Sequence, residues 1–191
     1  MFAYLEGVLT YKSPSLLYMA VNGVGYELQI TLQTYSKIQQ KDSCRLYIHL
    51  QIREDAWVLY GFADETERTT FRQLLNISGV GAATARIILS SLTPDELARA
   101  IASEDARTLE KIKGIGAKTA QRIILELKGK LFGAKSADLP HVAHNTTEED
   151  ALIALVNLGI SRAVAESAIK KISNASSLSV EELIKQALRV L

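Results

Sequence analysis

The middle of the chain repeats itself after 35 residues, and this repeat restricts the possible folds more than any other feature. When residues 72–88 are aligned with residues 107–123, nine of 17 positions are identical. The identical pairs are Arg72 and Arg107, Leu74 and Leu109, Ile77 and Ile112, Gly79 and Gly114, Gly81 and Gly116, Ala82 and Ala117, Thr84 and Thr119, Ala85 and Ala120, and Ile88 and Ile123. Each copy reads helix, apolar residue, Gly-x-Gly, helix. The repeat therefore predicts two tandem helix-hairpin-helix motifs.

The Gly-x-Gly spacing predicts a main-chain anion site in each motif. Two glycines around one apolar residue allow a turn that other residues adopt only at a cost, so Val80 and Ile115 should point inward while the flanking amides point outward. The helix that follows presents unpaired N–H groups and a positive dipole end, which favour phosphate and ignore the base. The predicted DNA-binding residues are Gly79, Val80, Gly81, Thr84, Gly114, Ile115, Gly116, Lys118, Thr119 and Arg122.

Three other interpretations fit parts of the repeat. A dinucleotide fingerprint needs a third glycine, but Thr84 and Thr119 stand at that position and neither hairpin follows a strand. The run from Gly116 to Thr119 is similar to a P-loop, but Ala117 separates the glycine from the lysine. A single Gly-x-Gly would be explained by a helix C-cap that joins two short helices. Two Gly-x-Gly motifs at equivalent positions of a repeat favour DNA binding instead.

Charge and composition exclude several classes of protein. Hydrophobic residues make up 48% and charged residues 23% of the chain, which is ordinary for a globular protein. No apolar run approaches the roughly 18 residues of a membrane span, and the N-terminus lacks signal-peptide features. We therefore expect a cytoplasmic protein with Cys44 as a small core residue. Residues 107–130 carry seven basic and two acidic side chains, which alone would indicate only a solvated helix face.

The patterning along the chain predicts a multidomain α+β fold. Residues 1–63 alternate with period two around turns such as Asn22-Gly23, so we predict five short strands in an OB-like β-barrel, with an SH3-like barrel as the alternative. Residues 64–132 have helical periodicity, with helices predicted over 64–75, 81–91, 94–102, 105–112 and 116–130. Thr93, Pro94 and Glu96 form a helix-start signal.

The last third of the chain predicts a linker and a small helical module. Residues 133–147 have no sustained apolar period, which is typical of a flexible linker. Residues 148–191 predict a three-helix bundle whose first helix opens at Thr146 with Glu149 and ends at a left-handed Gly159. Ser161 precedes the second helix, and Ser179 with Glu182 caps the third.

This order of modules resembles the RuvA family over essentially the whole chain. The motifs that carry the resemblance are Ile52-Arg53-Glu54-Asp55-Ala56, Leu59-Tyr60-Gly61-Phe62 and Gly114-Ile115-Gly116-x-Lys118-Thr119-Ala120. The resemblance implies a homotetramer, with an octamer as a further possibility on DNA, that binds four-way Holliday junctions in recombination and repair. It implies the RuvB motor ATPase and the RuvC resolvase as partners. It also implies a subunit with no catalytic site, cofactor or metal of its own.

The resemblance assigns roles to residues outside the repeat. Glu54 and Asp55 match an acidic pin that would repel phosphates at the crossover, although two acids between strands are otherwise ordinary solvated turn residues. Apolar family positions implicated in contacting RuvB are Leu155, Leu158, Ile160 and Leu188, and the alternative for them is the core of the bundle. Ala83 and Ala117 depart from the family, which often carries lysine near these positions.

Two rival functions remain at this point. A nuclease or glycosylase would need a carboxylate cluster, a metal set or a poised side chain beside the hairpin, and no Asp/Glu pair has ligand spacing near the repeat. A single-strand-binding barrel could stack bases on aromatic side chains, although strand alternation predicts that most of these side chains belong to the core. The aromatic residues in question are Tyr4, Tyr11, Tyr26 and Trp57.

Overall fold

The computed structural model describes residues 2–133, 147–172, 175 and 178–190. The chain divides into two compact units, Met1–Ala134 and Lys135–Leu191, which are described separately below. Most of the predicted linker, residues 134–146, lies outside the described residues, as does the predicted helix start at Thr146.

A closed barrel forms the first part of the N-terminal unit. Its strands are β1 (Tyr4–Lys12), β2 (Leu16–Val21), β3 (Val24–Ile30), β4 (Ser43–Ile52) and β5 (Trp57–Phe62). They close in the order β1-β2-β3-β5-β4, with β3 and β5 parallel and the other pairs antiparallel. Helix α1 (Leu32–Ile38) connects β3 to β4. This closed five-stranded barrel confirms the predicted OB-like fold.

Strand alternation and one tight turn explain how the sequence forms this barrel. Asn22 and Gly23 both have positive φ, 47° and 84°, as expected for the hairpin turn between β2 and β3. The side chains that fill the barrel are Leu5, Leu9, Leu17, Met19, Leu28, Ile30, Ile38, Leu46 and Ile48. Cys44 is half-buried and packs against this core, and burial raises the pKa of its thiol.

Helix α1 was not predicted, and its residues join the barrel to the following helix. Thr31 caps α1 by accepting a hydrogen bond from the Thr34 amide at 3.0 Å. The hydroxyls of both threonines donate to the buried carboxylate of Glu67, and the bond from Thr34 measures 2.8 Å. Burial raises the pKa of Glu67 above its ordinary value. Because all three side chains are fully buried, the network fixes α1 against the helix that carries Glu67.

Five helices complete the N-terminal unit close to the predicted positions. They are α2 (Glu65–Leu75), α3 (Ala82–Ser91), α4 (Pro94–Ala102), α5 (Ala106–Glu110) and α6 (Ala117–Gly133). The predicted start of α4 is confirmed, because Thr93 and Glu96 exchange hydrogen bonds in a capping box with Pro94 at the first turn.

The end of β5 shares a hydrophobic core with the five helices, separate from the cluster that fills the barrel. Tyr60 and Phe62 at the end of β5 pack against Phe71 of α2, with ring centroids 5.0 and 4.9 Å apart. The same buried cluster continues through α3 and α4 to Leu127 of α6. The pairing of β5 with its neighbours and this packing therefore hold the helical region on the barrel.

In the C-terminal unit, the described residues form the helices α7 (Thr147–Asn157), α8 (Arg162–Lys170) and α9 (Val180–Val190). The predicted left-handed end of α7 is confirmed, since Gly159 has φ of 92° and the Ile160 amide donates to the Leu155 carbonyl at 3.2 Å. Leu155 and Leu183 are central in its small core. In the described part of the chain, no helix is both long and apolar enough to cross a membrane.

Candidate nucleic-acid interface

The two repeats form two equivalent turns. In the first, the Val80 amide donates to the Ile77 carbonyl at 3.0 Å, and in the second the Ile115 amide donates to the Ile112 carbonyl at 3.1 Å. Gly79 has φ of 88° and Gly114 has φ of 90°. Each of these glycines occupies the third position of its turn, where a type II turn requires positive φ. The sequence repeat is therefore a structural repeat.

The second glycine of each pair has a different role from the one predicted. Gly81 has an extended backbone, with φ of −87° and ψ of 172°, and Gly116 also lacks a positive φ. No atom lies within 4 Å of a Cβ built at either position. The expectation that both glycines serve the turn is thus wrong for Gly81 and Gly116. They leave open space in front of the first turns of α3 and α6.

Val80 and Ile115 point inward, as predicted, and are 5% and 6% exposed. Because their amides also donate within the turns, neither residue offers an unpaired N–H group to a ligand. This corrects their assignment as DNA-contacting residues and makes them anchors of the hairpins. The amides left for an anion are those at the starts of α3 and α6, whose first four N–H groups lack helical partners.

The turn of the first hairpin and helix α6 of the second motif line one shallow depression of about 370 Å³. Its lining consists of Ser78, Gly79, Lys118, Thr119, Gln121 and Arg122. The Arg122 guanidinium donates to the Ser78 carbonyl at 3.2 Å, so the second motif holds the turn of the first. Four predicted residues therefore meet here, and Ser78 and Gln121 are additions. Ser78 directly precedes the first glycine, a position that the repeat alignment pairs with Lys113.

Lys118 gives this depression an accessible positive charge. Its side chain is exposed and forms no ion pair within the described residues. Arg122 is 4.0 Å from Glu126, and its side chain is about half exposed, so that pair is weak. Thr84 and Thr119 are half-buried on the first turns of α3 and α6. The arrangement can bind phosphate through main-chain amides supplemented by Lys118.

A pair of substitutions separates the two glycine roles. Gly114→Ser should lower the free energy of unfolding by about 1–2 kcal/mol, because a side chain disfavours positive φ. Gly116→Ser is the matched control, since its side chain would enter open space and serine caps helices well. Urea unfolding of both variants measures the difference, and equal destabilisation would contradict the assignment.

The acidic pair lies at the tip of the β4–β5 hairpin. Glu54 and Asp55 are exposed, and the Arg53 amide closes the turn on the Ala56 carbonyl at 2.9 Å. Neither acid is in an ion pair within the described ranges. Two exposed negative charges next to Arg53 therefore project from one end of the barrel, an arrangement that suits both a pin and a solvated turn.

The chain is similar to known proteins over each of its three modules. The chain matches the family models described as RuvA N terminal domain over residues 1–61, SAM-like helix-hairpin-helix tandem over 71–130, and RuvA, C-terminal domain over 146–191. It is 46% identical to the protein from Christiangramia forsetii named "Holliday junction branch migration complex subunit RuvA", over the full length of both chains. The chain belongs to the RuvA family.

Further RuvA relatives agree with this assignment. The proteins of the same name from Cytophaga hutchinsonii and Porphyromonas gingivalis are 43% and 45% identical to this chain, again over the full length of each chain. The similarity to these relatives therefore extends over all three modules of this chain.

The C-terminal residues assigned through the RuvA resemblance do not share one environment. Leu155 is fully buried in the bundle core, so its assignment as a surface contact is corrected. Ile160 is half-buried against the same core. Leu158 and Leu188 are 63% and 46% exposed. Two neighbours on α7 that the prediction missed, Ile153 and Val156, are 46% and 40% exposed.

The aromatic residues of this RuvA barrel are more exposed than strand alternation predicts. Tyr4 and Tyr11 are each 48% exposed and Trp57 is 75% exposed, whereas Tyr26 packs against the barrel core. The guanidinium of Arg45 covers the Tyr4 ring at 4.2 Å, and Tyr11 contacts Tyr18 with ring centroids 5.1 Å apart. The expectation that most of these rings are core residues is wrong.

Among the residues that the structure describes, no group of three or more His, Cys, Asp or Glu side chains could hold a metal ion. His49 contacts Phe71 with ring centroids 5.4 Å apart, and burial together with Arg72 and Arg68 lowers its pKa. His49 thus belongs to the packing between the barrel and α2.

Proposed function

We propose that this chain binds four-way Holliday junctions and is the non-catalytic DNA-binding subunit of a branch-migration complex. The observation that carries the proposal is the depression between the turn of the first hairpin and the start of α6, which is lined by Lys118 and Thr119. Main-chain donors at this surface suit phosphates and carry no sequence information. The names of the RuvA relatives, which include "Holliday junction branch migration complex subunit", support the choice of DNA.

A four-armed ligand calls for several copies of this surface. One hairpin pair spans a short stretch of backbone, and we propose that four subunits in a homotetramer contact the four arms, with a second tetramer able to complete an octamer. Once one subunit has bound an arm, the linked subunits are held at a high effective concentration near the other arms. The overall affinity therefore rises although no single contact becomes stronger. Glu54 and Asp55 of each subunit would form the acidic pin at the centre, where their charge disfavours a continuous duplex.

The remaining modules are assigned to partners. We propose that residues 1–63 and 64–132 hold the junction, that residues 133–147 act as a linker, and that residues 148–191 load and couple the RuvB motor ATPase. The exposed side chains of Leu158 and Leu188 are available for that contact, whereas buried Leu155 can act only by holding α7 in place. The RuvC resolvase is the further proposed partner.

Binding measurements on matched substrates test the proposal. The protein should bind a four-way junction at least about 100-fold more tightly than linear duplex of the same sequence, because multivalent contact rewards four arms. Changing the base sequence should have little effect, since phosphate contacts dominate. Native mass measurement with and without the junction gives the number of subunits. Equal affinity for junction and duplex would exclude the proposal.

Single-strand binding by the barrel is a second candidate, favoured by the exposed rings of Tyr4, Tyr11 and Trp57. Competition between a four-way junction and a single strand of equal total length distinguishes the two functions. Displacement of the junction by an equimolar amount of single strand would favour the second candidate.

A further inference from the structure

Trp57 is the single tryptophan of the chain, and its side chain is 75% exposed. Tryptophan is highly buried on average in folded proteins, so this exposure is unusual. Trp57 pairs directly across the β4–β5 hairpin with Ile52, which is 64% exposed. The two side chains form an apolar pair immediately below the turn that carries Glu54 and Asp55.

The position of this pair follows from strand alternation. Leu46 and Ile48 of β4 point into the barrel, and Leu50 and then Ile52 continue the same row. On β5, Leu59 packs against the barrel core, and Trp57 is the next residue on that face. Exposure rises along both strands toward the turn. The row of side chains that faces the barrel interior therefore continues along β4 and β5 beyond the closed part of the barrel. It ends at the solvent-exposed indole of Trp57.

The chemistry of the turn restricts what can contact this indole. Glu54 and Asp55 carry negative charge within a few residues of Trp57, and like charges within a Debye length of about 8–10 Å repel a phosphate. A nucleobase is neutral and has a π-face that stacks on aromatic side chains. In OB folds, the loop between the fourth and fifth strands also contacts oligonucleotides.

We propose that Trp57, backed by Ile52, stacks on an unpaired nucleobase at the junction crossover. The inference rests on the proposed function, because it needs the acidic turn to lie where strands separate. The turn would repel the backbone while the indole accepts the exposed base. Together they would hold apart two strands that otherwise re-pair.

Intrinsic fluorescence reports on this contact without labelling, because the chain has one tryptophan. Titration of the full-length protein with a four-way junction should quench the emission of Trp57, and a linear duplex at saturating concentration should quench it much less. Before DNA is added, the indole should be open to a soluble quencher such as acrylamide. An indole already shielded in the DNA-free protein, with emission that the junction leaves unchanged, would place Trp57 in a subunit contact and overturn the proposal.

Substitutions distinguish stacking from a general apolar contact. Trp57→Phe should keep junction affinity within about threefold, whereas Trp57→Leu should lower it by about tenfold, as expected for the loss of one stacked base. Tyr18→Leu removes another exposed ring of the same barrel and should have no effect on junction binding. Equal affinity of the Leu and Phe variants would overturn the stacking role. If the wild-type protein itself fails to prefer the junction over duplex, the proposed function fails instead, so the two failures are distinct.

Discussion

Lys118→Ala is expected to weaken junction binding for every DNA sequence alike and to flatten its dependence on salt. Each phosphate contact releases condensed counterions, so losing one contact per subunit should reduce the log–log salt slope by about one, or about four for a tetramer. Over a fourfold rise in salt concentration, the wild-type protein should therefore lose roughly 100- to 250-fold more affinity than the variant. Dissociation constants at four salt concentrations measure both slopes.

A matched variant controls for the loss of positive charge. Lys41 is also exposed and lies on the barrel, outside the depression that Lys118 lines. Lys41→Ala should leave the slope close to that of the wild-type protein, because its charge meets no phosphate in the proposed complex. An unchanged slope for Lys118→Ala, or a loss that differs between base sequences, would remove Lys118 from the phosphate site.

Neutralising the acidic turn is expected to raise affinity for DNA while lowering selectivity for the junction. The double change Glu54→Gln with Asp55→Asn removes eight negative charges from a tetramer. Each would contribute about 0.4 kcal/mol of repulsion toward a phosphate 10 Å away in water, before screening by salt. Linear duplex should benefit more than the junction because only duplex must cross the centre. We expect the ratio of the two affinities to fall by about tenfold.

The control for this experiment is a second pair of exposed acids on the same barrel. Glu27→Gln with Asp42→Asn makes the same change in net charge away from the β4–β5 turn. It should shift both dissociation constants only slightly and leave their ratio unchanged. If the Glu54 and Asp55 variant behaves in the same way, these two residues are solvated turn residues and the proposed pin has no support.

The sequence repeat predicted the hairpins because glycine spacing and apolar periodicity are local properties. It did not distinguish the two glycines of a pair, since both conformational strain and the need for open space select glycine. Both Gly114 and Gly116 border open space, and only the backbone geometry shows that Gly114 has positive φ whereas Gly116 does not. For the same reason, the amides of Val80 and Ile115 could not be recognised as turn donors before the structure.

The burial of individual side chains was harder to predict than the positions of helices and strands, above all in short elements and near the ends of strands. Helix α1 has seven residues and no acidic residue in its first turn, and the sequence does not show that its cap Thr31 and its Thr34 are buried with Glu67 of α2. Trp57 obeys strand alternation, but the sequence does not show that β5 begins beyond the closed barrel. The periodicity of α7 likewise places Leu155 on an apolar face without showing that α9 covers it.

Strand β5 links the two ends of the proposed DNA surface in a direct way. It begins beside the acidic turn at Trp57 and ends at Phe62, in the core that the barrel shares with the helices. Five residue steps of extended chain span about 17 Å, and a paired strand of that length bends little. Strand β5 thus keeps the acidic turn at a fixed distance from the core on which the hairpins are built. In the proposed complex, the surface would therefore keep its geometry during branch migration, and the DNA would be the component that changes conformation.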